Sequence, residues 1–493
     1  MTSRYGVLAR LARRSAQGRP SLAILCSILT YPQRLSLFLD RPGFPWKRLV
    51  IGFSIGQYVF ESLLSLRQYQ VLQKTKPPKA LEEEVTQETF DKSQAYGRAK
   101  AKFGFVSNLY SLVTNVAIYQ FDVLPTLWSV TGRWLLQYAP ARFTGEISHS
   151  ILFFFTFNIV SQLLSLPVSY YSTFVLEEKF GFNKQTRSLF FTDLLKSQAL
   201  MIALGTPILS GFLKIIQSTG TNFFAYLWAF AVAVQVFGIT VYPIFIQPLF
   251  NKLSPLEPGE LRDRVESLSK KLSFPLTDLY SIDGSKRSAH SNAYFYGLPW
   301  KKHIVIYDTL INKSTPPEIE AVLAHELDHW SLSHTTKLLG IAQFHLLYVF
   351  ALFSVFIHNA SLYSSFGFTN QRPIMIGFIL FSEALAPMDT IIKFLMNILS
   401  RKFEFEADKF ALDLGYKQEL ARSLIKLQVE NLSTMDADWI YASYHYSHPI
   451  LTERLKALGW TSTEKVADTD AKLEQTGQTA QNGGVLKAAD REL

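Results

Sequence analysis

TPPEIEAVLAHELDHWSLSHTTKLLGIAQFHLLYVFALFSVFIH, residues 315–358, joins a polar helix directly to an apolar run, and this junction decides how the whole chain is read. The polar half has a defined start: Thr315 can cap it, Pro316 suits the first helical position, and Glu318 completes a capping box. On that helix His325 and His329 lie one turn apart on one face, so their imidazoles can share one zinc ion. Glu326 is offset around the helix, near a metal without being forced onto it. A carboxylate there can take a proton from an attacking water and pass it to a leaving amine. The bland alternative is an amphipathic helix with two ordinary histidines. From residue 338 the run is apolar and long enough to cross a bilayer.

A third ligand has to come from elsewhere in the chain. Residues 401–412, RKFEFEADKFAL, read as a helix on which Glu404 can complete the metal set. Asp408, one turn on, can accept a hydrogen bond from the far nitrogen of a ligating histidine. Glu406 could in principle replace Glu404, but it has no aspartate four residues later. Another known spacing puts a histidine six residues past the second one. That position is Thr335, and His334 is one residue out of register. The bland reading of this stretch is a juxtamembrane helix with mixed charges.

Composition places the site in a membrane protein. Hydrophobic residues make up 48% of 493 and charged residues only 18%, too few charges to coat two or three soluble domains. Seven apolar segments approach or exceed the crossing length, at about 48–66, 105–137, 150–175, 196–216, 222–249, 338–358 and 374–398. Pro167, Pro207, Pro243 and Pro387 fall inside them, which membrane helices tolerate when neighbours or water satisfy the freed backbone groups. His325 and His329 precede the sixth segment and Glu404 follows the seventh, so two crossings separate them and all three emerge on one side. The positive-inside rule assigns that side to the cytosol, because the connections sharing it carry Arg67, Lys74, Lys76, Lys79, Lys92, Arg98, Lys100 and Lys102. The basic N-terminus falls on the other side in this count, against the rule. Since the basic residues lie mostly between apolar runs, the net charge of +9 reads as topology and argues against nucleic-acid binding. The single cysteine, Cys26, excludes an internal disulfide and a cysteine-based zinc site.

The expected division is a basic extension at 1–47, five crossings at 48–250, a protease segment with the zinc helix at 251–337, two crossings at 338–399, a second protease segment at 400–463 and a disordered tail at 464–493. The extension has features of a mitochondrial presequence, and Leu22–Leu29 those of a signal core. No small-residue cleavage site follows, which leaves a loosely constrained extension. Asn292–Tyr296 and His303–Tyr307 read as a hairpin whose edge could hold an extended peptide. Farther on, His448 and Arg454 could steady an oxyanion or a substrate carbonyl. Both clusters also have purely structural readings. Gln343, His345, Glu383 and Asp389 stand at membrane depth, where polar groups normally face protein or water, and they imply an aqueous interior.

With these residues in place the chain resembles the type I CaaX prenyl protease family, integral-membrane zinc endopeptidases acting on prenylated proteins. The resemblance runs from about residue 50 to 460 and rests on Gly284–Gly297, the His-Glu-x-x-His helix, Arg401–Phe410 and His445–Arg454. It implies an α-helical seven-span barrel around a water-filled chamber, closed by a gluzincin-like protease domain containing a small β-hairpin. It implies one zinc ion per chain on His325, His329 and Glu404, with Glu326 as general base and Asp408 as the catalytic-site aspartate. Asn292, Ala293, His448 and Arg454 match its substrate contacts. The implied reaction removes the C-terminal tripeptide of a prenylated CaaX protein, with a second upstream cut for some substrates. The implied home is the endoplasmic reticulum membrane, with the nuclear envelope as a further option and the lipid bilayer as the other partner; the oligomeric state stays open, a monomer being compatible with the reading. Two departures stand out: Asp328 replaces a glycine usual in the family, and Ala324 replaces another. The same residues would serve a quality-control protease without a prenyl requirement. A non-catalytic channel-clearing factor would not need Glu326, and a seven-span transporter would leave the zinc residues unexplained.

Overall fold

The computed structural model describes residue 38 and residues 40–220 and 223–460. The basic extension through residue 37, with Cys26, and the tail from residue 464 lie outside the described residues.

The membrane part opens with α1 (Trp46–Val71), α2 (Gln87–Gln120), α3 (Val123–Tyr138), α4 (Glu146–Tyr171, continued in wider turns to Glu177), α5 (Arg187–Thr219) and α6 (Phe223–Val241). The apolar stretch 105–137, expected as one long crossing, is two helices. They part at Asp122, whose φ of 51° is left-handed and cannot continue a helix. Asp122 pairs there with Lys47 of α1 at 2.6 Å. At the other end of α2, Ser93 donates to the Ser433 carbonyl at 2.8 Å and the Tyr96 hydroxyl to Glu177 at 2.8 Å. So α2 runs the full height of the shell and its apolar half makes the second crossing. α3 stays at the far end, where the Trp128 indole donates to Gln371 at 3.1 Å.

A soluble unit follows: β1 (Leu253–Pro255), α7 (Glu260–Lys271), β2 (Leu276–Ile282), β3 (Ala293–Leu298), β4 (Lys301–Tyr307), α8 (Asp308–Lys313) and α9 (Pro316–Ser331). The strands lie in the order β1-β2-β4-β3, so β3 is an outer strand. β3 and β4 form the expected antiparallel hairpin, with Ala293 opposite Ile306 and Leu298 opposite Lys301. Gly297 sits at φ 115°, where a Cβ would strike the Lys301 carbonyl, so the turn requires glycine. Ile304 and Ile306 of β4 are fully buried in one apolar core with Leu323, Ala324 and Leu327 of α9. α9 begins as read, Glu318 accepting from the Thr315 amide at 2.8 Å.

Ser333, at φ 59°, turns the chain into the sixth crossing, α10 (His334–Phe356). α11 (Ala360–Ser365) caps the far end. Its N-cap is Asn359, whose side chain accepts from the Leu362 amide and is 1% exposed. Asn359-Ala-Ser361 spells an N-glycosylation sequon in the sequence, and this capping role closes it to a glycosyltransferase once the chain has folded. α12 (Ile374–Asp413) is one helix of 40 residues. At 1.5 Å per residue that is about 60 Å, twice a hydrocarbon core of ~30 Å, so its second half stands clear of the bilayer. α13 (Lys417–Glu430), α14 (Trp439–His445) and α15 (Leu451–Ala457) complete the soluble unit.

Among the described residues, six helical segments are long and apolar enough to cross a membrane by themselves, namely α1, α4, α5, α6, α10 and α12 with their extensions. With α2 they make seven traverses around a hollow interior. In the most apolar window of every one of these six except α12, at most 11% of residues are buried. A solid bundle would bury one side of each helix; burial this low fits helices arranged around a hollow. Polar pairs bridge neighbouring helices at membrane depth: Gln343 donates to Gln235 at 2.7 Å, and His345 meets Asp389 at 3.3 Å. Unpaired with lipid, such groups need water or each other. Asp389→Cys in a Cys26→Ser background is expected to react with a charged, membrane-impermeant thiol reagent. Complete resistance to every water-soluble reagent would exclude a solvated interior.

Candidate active site and metal centre

The soluble core sets the site by packing α9 against both α12 and β3. His325 and His329 thereby face Glu404, each presenting Nε2 at 3.4 Å from one of its carboxylate oxygens. The three donor atoms lie within 4.8 Å of one another, and among the described residues this is the one such group of His, Cys, Asp and Glu. His325 and Glu404 are each 5% exposed. Oε2 of Glu404 is buried and takes no well-aligned hydrogen bond, although His448 Nδ1 stands 2.9 Å away. Burial and the nearby Arg454 oppose a charge on His325, yet hydrogen bonds to Asp408 and Glu404 push it up to about 9. The pocket calls for positive charge. Two imidazole nitrogens and an orphaned carboxylate oxygen are a donor set that zinc accepts, so the residues fit the ion.

Around this group stands a support. Asp408 Oδ1 lies 3.0 Å from His325 Nδ1, as the turn spacing from Glu404 implied. Arg454 grips Asp408 with both arms, Nε to Oδ2 at 2.8 Å and Nη2 to Oδ1 at 2.5 Å. Its Nη1 is 3.8 Å from Glu404. Arg401 ties the same segment down, donating to Glu453 at 2.7 Å. Glu326, next to His325, is half-buried and makes no hydrogen bond or ion pair among the described residues. His448 is 67% exposed and thus open to a ligand.

Asn292 and Ala293 are not in this hydrogen-bonded group. Ala293 opens β3, the outer strand packed on α9, and Asn292 immediately precedes it; Asn292 is exposed and Ala293 buried. The residues that spacing rejected as ligands lie closer in. His334 Nδ1 is 3.1 Å from His329 Nδ1, and its Nε2 is 2.9 Å from Glu406. Asp328 is fully buried with neither oxygen hydrogen-bonded, and the His334 ring stands 3.8 Å away. Burial pushes its carboxyl up to about 6.

Residues 68–252 match the family described as CAAX prenyl protease N-terminal, five membrane helices, and residues 255–461 match Peptidase family M48. The chain belongs to this family of membrane-embedded M48 peptidases, the CAAX prenyl proteases. It is 46% identical over 448 residues to CAAX prenyl protease 1 of Saccharomyces cerevisiae, covering 87% of this chain and 99% of that protein. The human CAAX prenyl protease 1 homolog is 38% identical, covering 83% of this chain and 94% of that one. The crystal structure of Saccharomyces mikatae Ste24p superimposes with a TM-score of 0.80 at 47% identity, over 85% of this chain and 100% of that chain.

Replacing Arg454 by leucine leaves Asp408 buried without its counter-ion, and breaking such a pair costs about 3–5 kcal/mol. Thermal unfolding in detergent is expected to show a lower midpoint for Arg454→Leu and a smaller drop for Arg454→Lys, which keeps charge without the fork. An unchanged midpoint for both would show that the pair is not a support.

Proposed function

We infer that the chain is a membrane zinc endopeptidase that removes the C-terminal tripeptide of prenylated CaaX proteins. The observation that carries this is the His325–His329–Glu404 group at one end of a hollow helical shell, in a chain that aligns nearly end to end with CAAX prenyl protease 1. The names of these relatives favour it over a broad quality-control protease.

His325, His329 and Glu404 would hold one zinc ion, which supplies Lewis-acid polarisation of a carbonyl when bound. Glu326, with no competing partner, takes a proton from the attacking water and delivers it to the leaving amine nitrogen. His448 donates to the oxygen on which negative charge develops. Arg454 holds Asp408 against His325 and sets its Nη1 3.8 Å from Glu404. The free edge of β3, starting at Asn292 and Ala293, pairs with an extended substrate backbone. Segments 48–250 and 338–399 build the shell, and 251–337 and 400–463 carry the chemistry. The site opens to the cytosolic face of the endoplasmic reticulum membrane, the side to which the basic connections point. For some substrates a second, upstream cut follows.

The test is cleavage of a CaaX peptide with and without its prenyl group by the purified chain. Zinc chelation is expected to abolish activity, and Glu326→Ala to lower kcat by about 10²–10⁴-fold. Equal cleavage of both peptides would point instead to a quality-control protease. No cleavage despite bound zinc would overturn the enzymatic reading.

A further inference from the structure

We propose that His334 is a positioning residue for the metal ligand His329, held in one tautomer by Glu406. The inference rests on the zinc reading of the site and follows from counting protons around it. His329 turns Nε2 toward Glu404, at 3.4 Å. An imidazole that gives one nitrogen lone pair to a metal while neutral carries its proton on the other. Nδ1 of His329 is therefore a donor, and the atom it meets, at 3.1 Å, is His334 Nδ1. That atom must accept, so the proton of a neutral His334 sits on Nε2. There it points at Glu406 Oε2, 2.9 Å away. Carboxylate, histidine, histidine and metal thus form a line in which each proton has one place to be.

The His334 ring is fixed independently of those bonds. It is 1% exposed and stacks on Phe403, with centroids 4.1 Å apart and planes 10° from parallel. Phe403 precedes Glu404, so the platform under His334 and the third ligand move together. Among the described residues, Asp328 is the acceptor that could draw the His334 proton to Nδ1 instead. At 3.8 Å from that nitrogen it is beyond hydrogen-bond reach, whereas His329 and Glu406 are both within it. The two zinc histidines are then supported alike, His325 by Asp408 and His329 by His334 with Glu406 behind it. Such outer partners raise ligand basicity and fix ring orientation.

The experiment measures zinc affinity of the full-length chain in detergent by competition with a chromophoric chelator, beside the thermal midpoint of the zinc-free protein. His334→Phe keeps the stack and removes the acceptor; His334→Asn places an amide oxygen near the old Nδ1. His334→Phe is expected to bind zinc 10–100-fold more weakly, the range typical of lost outer partners, with an unchanged zinc-free midpoint. His334→Asn is expected to stay within about threefold of the parent, and Glu406→Leu to weaken binding by about tenfold. If His334→Phe fails to fold, His334→Gln, whose amide reaches toward Glu406 and away from His329, takes its place under the same criterion. Parent-like affinity in the loss variant, or equal loss in His334→Asn, would overturn the proposal. A parent chain that binds no zinc would instead overturn the metal reading beneath it.

Discussion

A carboxylate as buried as that of Glu404 is tolerable only where positive charge and proton donors converge on it, and much of the structure exists to arrange that convergence. Glu326, Glu404 and Asp408 share the field of one largely enclosed guanidinium, Arg454, and Asp328 lies buried on the same helix as the two histidines. The deficit of positive charge is what makes a divalent cation the natural occupant. It also explains the rigidity of the surroundings. Asp408 is held by a two-armed guanidinium, because a single weak contact would leave a second uncompensated charge close to the first.

The shell serves this arrangement through α12. Because that helix continues unbroken from the bilayer into the soluble unit, Glu404 and Asp408 are placed by the same rod that lines the cavity. α9 reaches them from the opposite direction, seated on the sheet core and closed at its start by the Thr315–Glu318 box. Two helices from different sides of the topology meet at one point, and the even number of crossings between them is what permits it.

Much of this was legible in the sequence because it obeys short-range rules. The capped start of α9, the one-turn spacing of His325 and His329, and the hairpin of β3 and β4 each need only local periodicity. Parity put Glu404 on the same side of the membrane as the histidines. What escaped depended on side chains brought together by the fold. The break at Asp122 hides within an apolar run, because a left-handed aspartate leaves no mark on hydropathy. His334 and Glu406 were weighed as ligands and set aside; no spacing rule relates residues 72 positions apart. The buried sequon at Asn359 looks from sequence like any exposed acceptor, and only its role as a helix cap removes it.

The contact between Arg454 and His325 spans 129 positions of chain. During synthesis the histidines leave the ribosome first, then two crossings must insert, and only afterwards do Glu404, Asp408 and Arg454 appear. At ordinary translation speeds of about 5–20 residues per second, this interval lasts roughly six to twenty-six seconds. For the first part of it the nascent polypeptide carries His325, Glu326 and His329 without Glu404, and to its end it lacks the Arg454 clamp on Asp408. The order of the segments along the gene thus acts as a built-in delay: a membrane hydrolase of this design gains its cutting power only when almost the whole shell that confines it has been made.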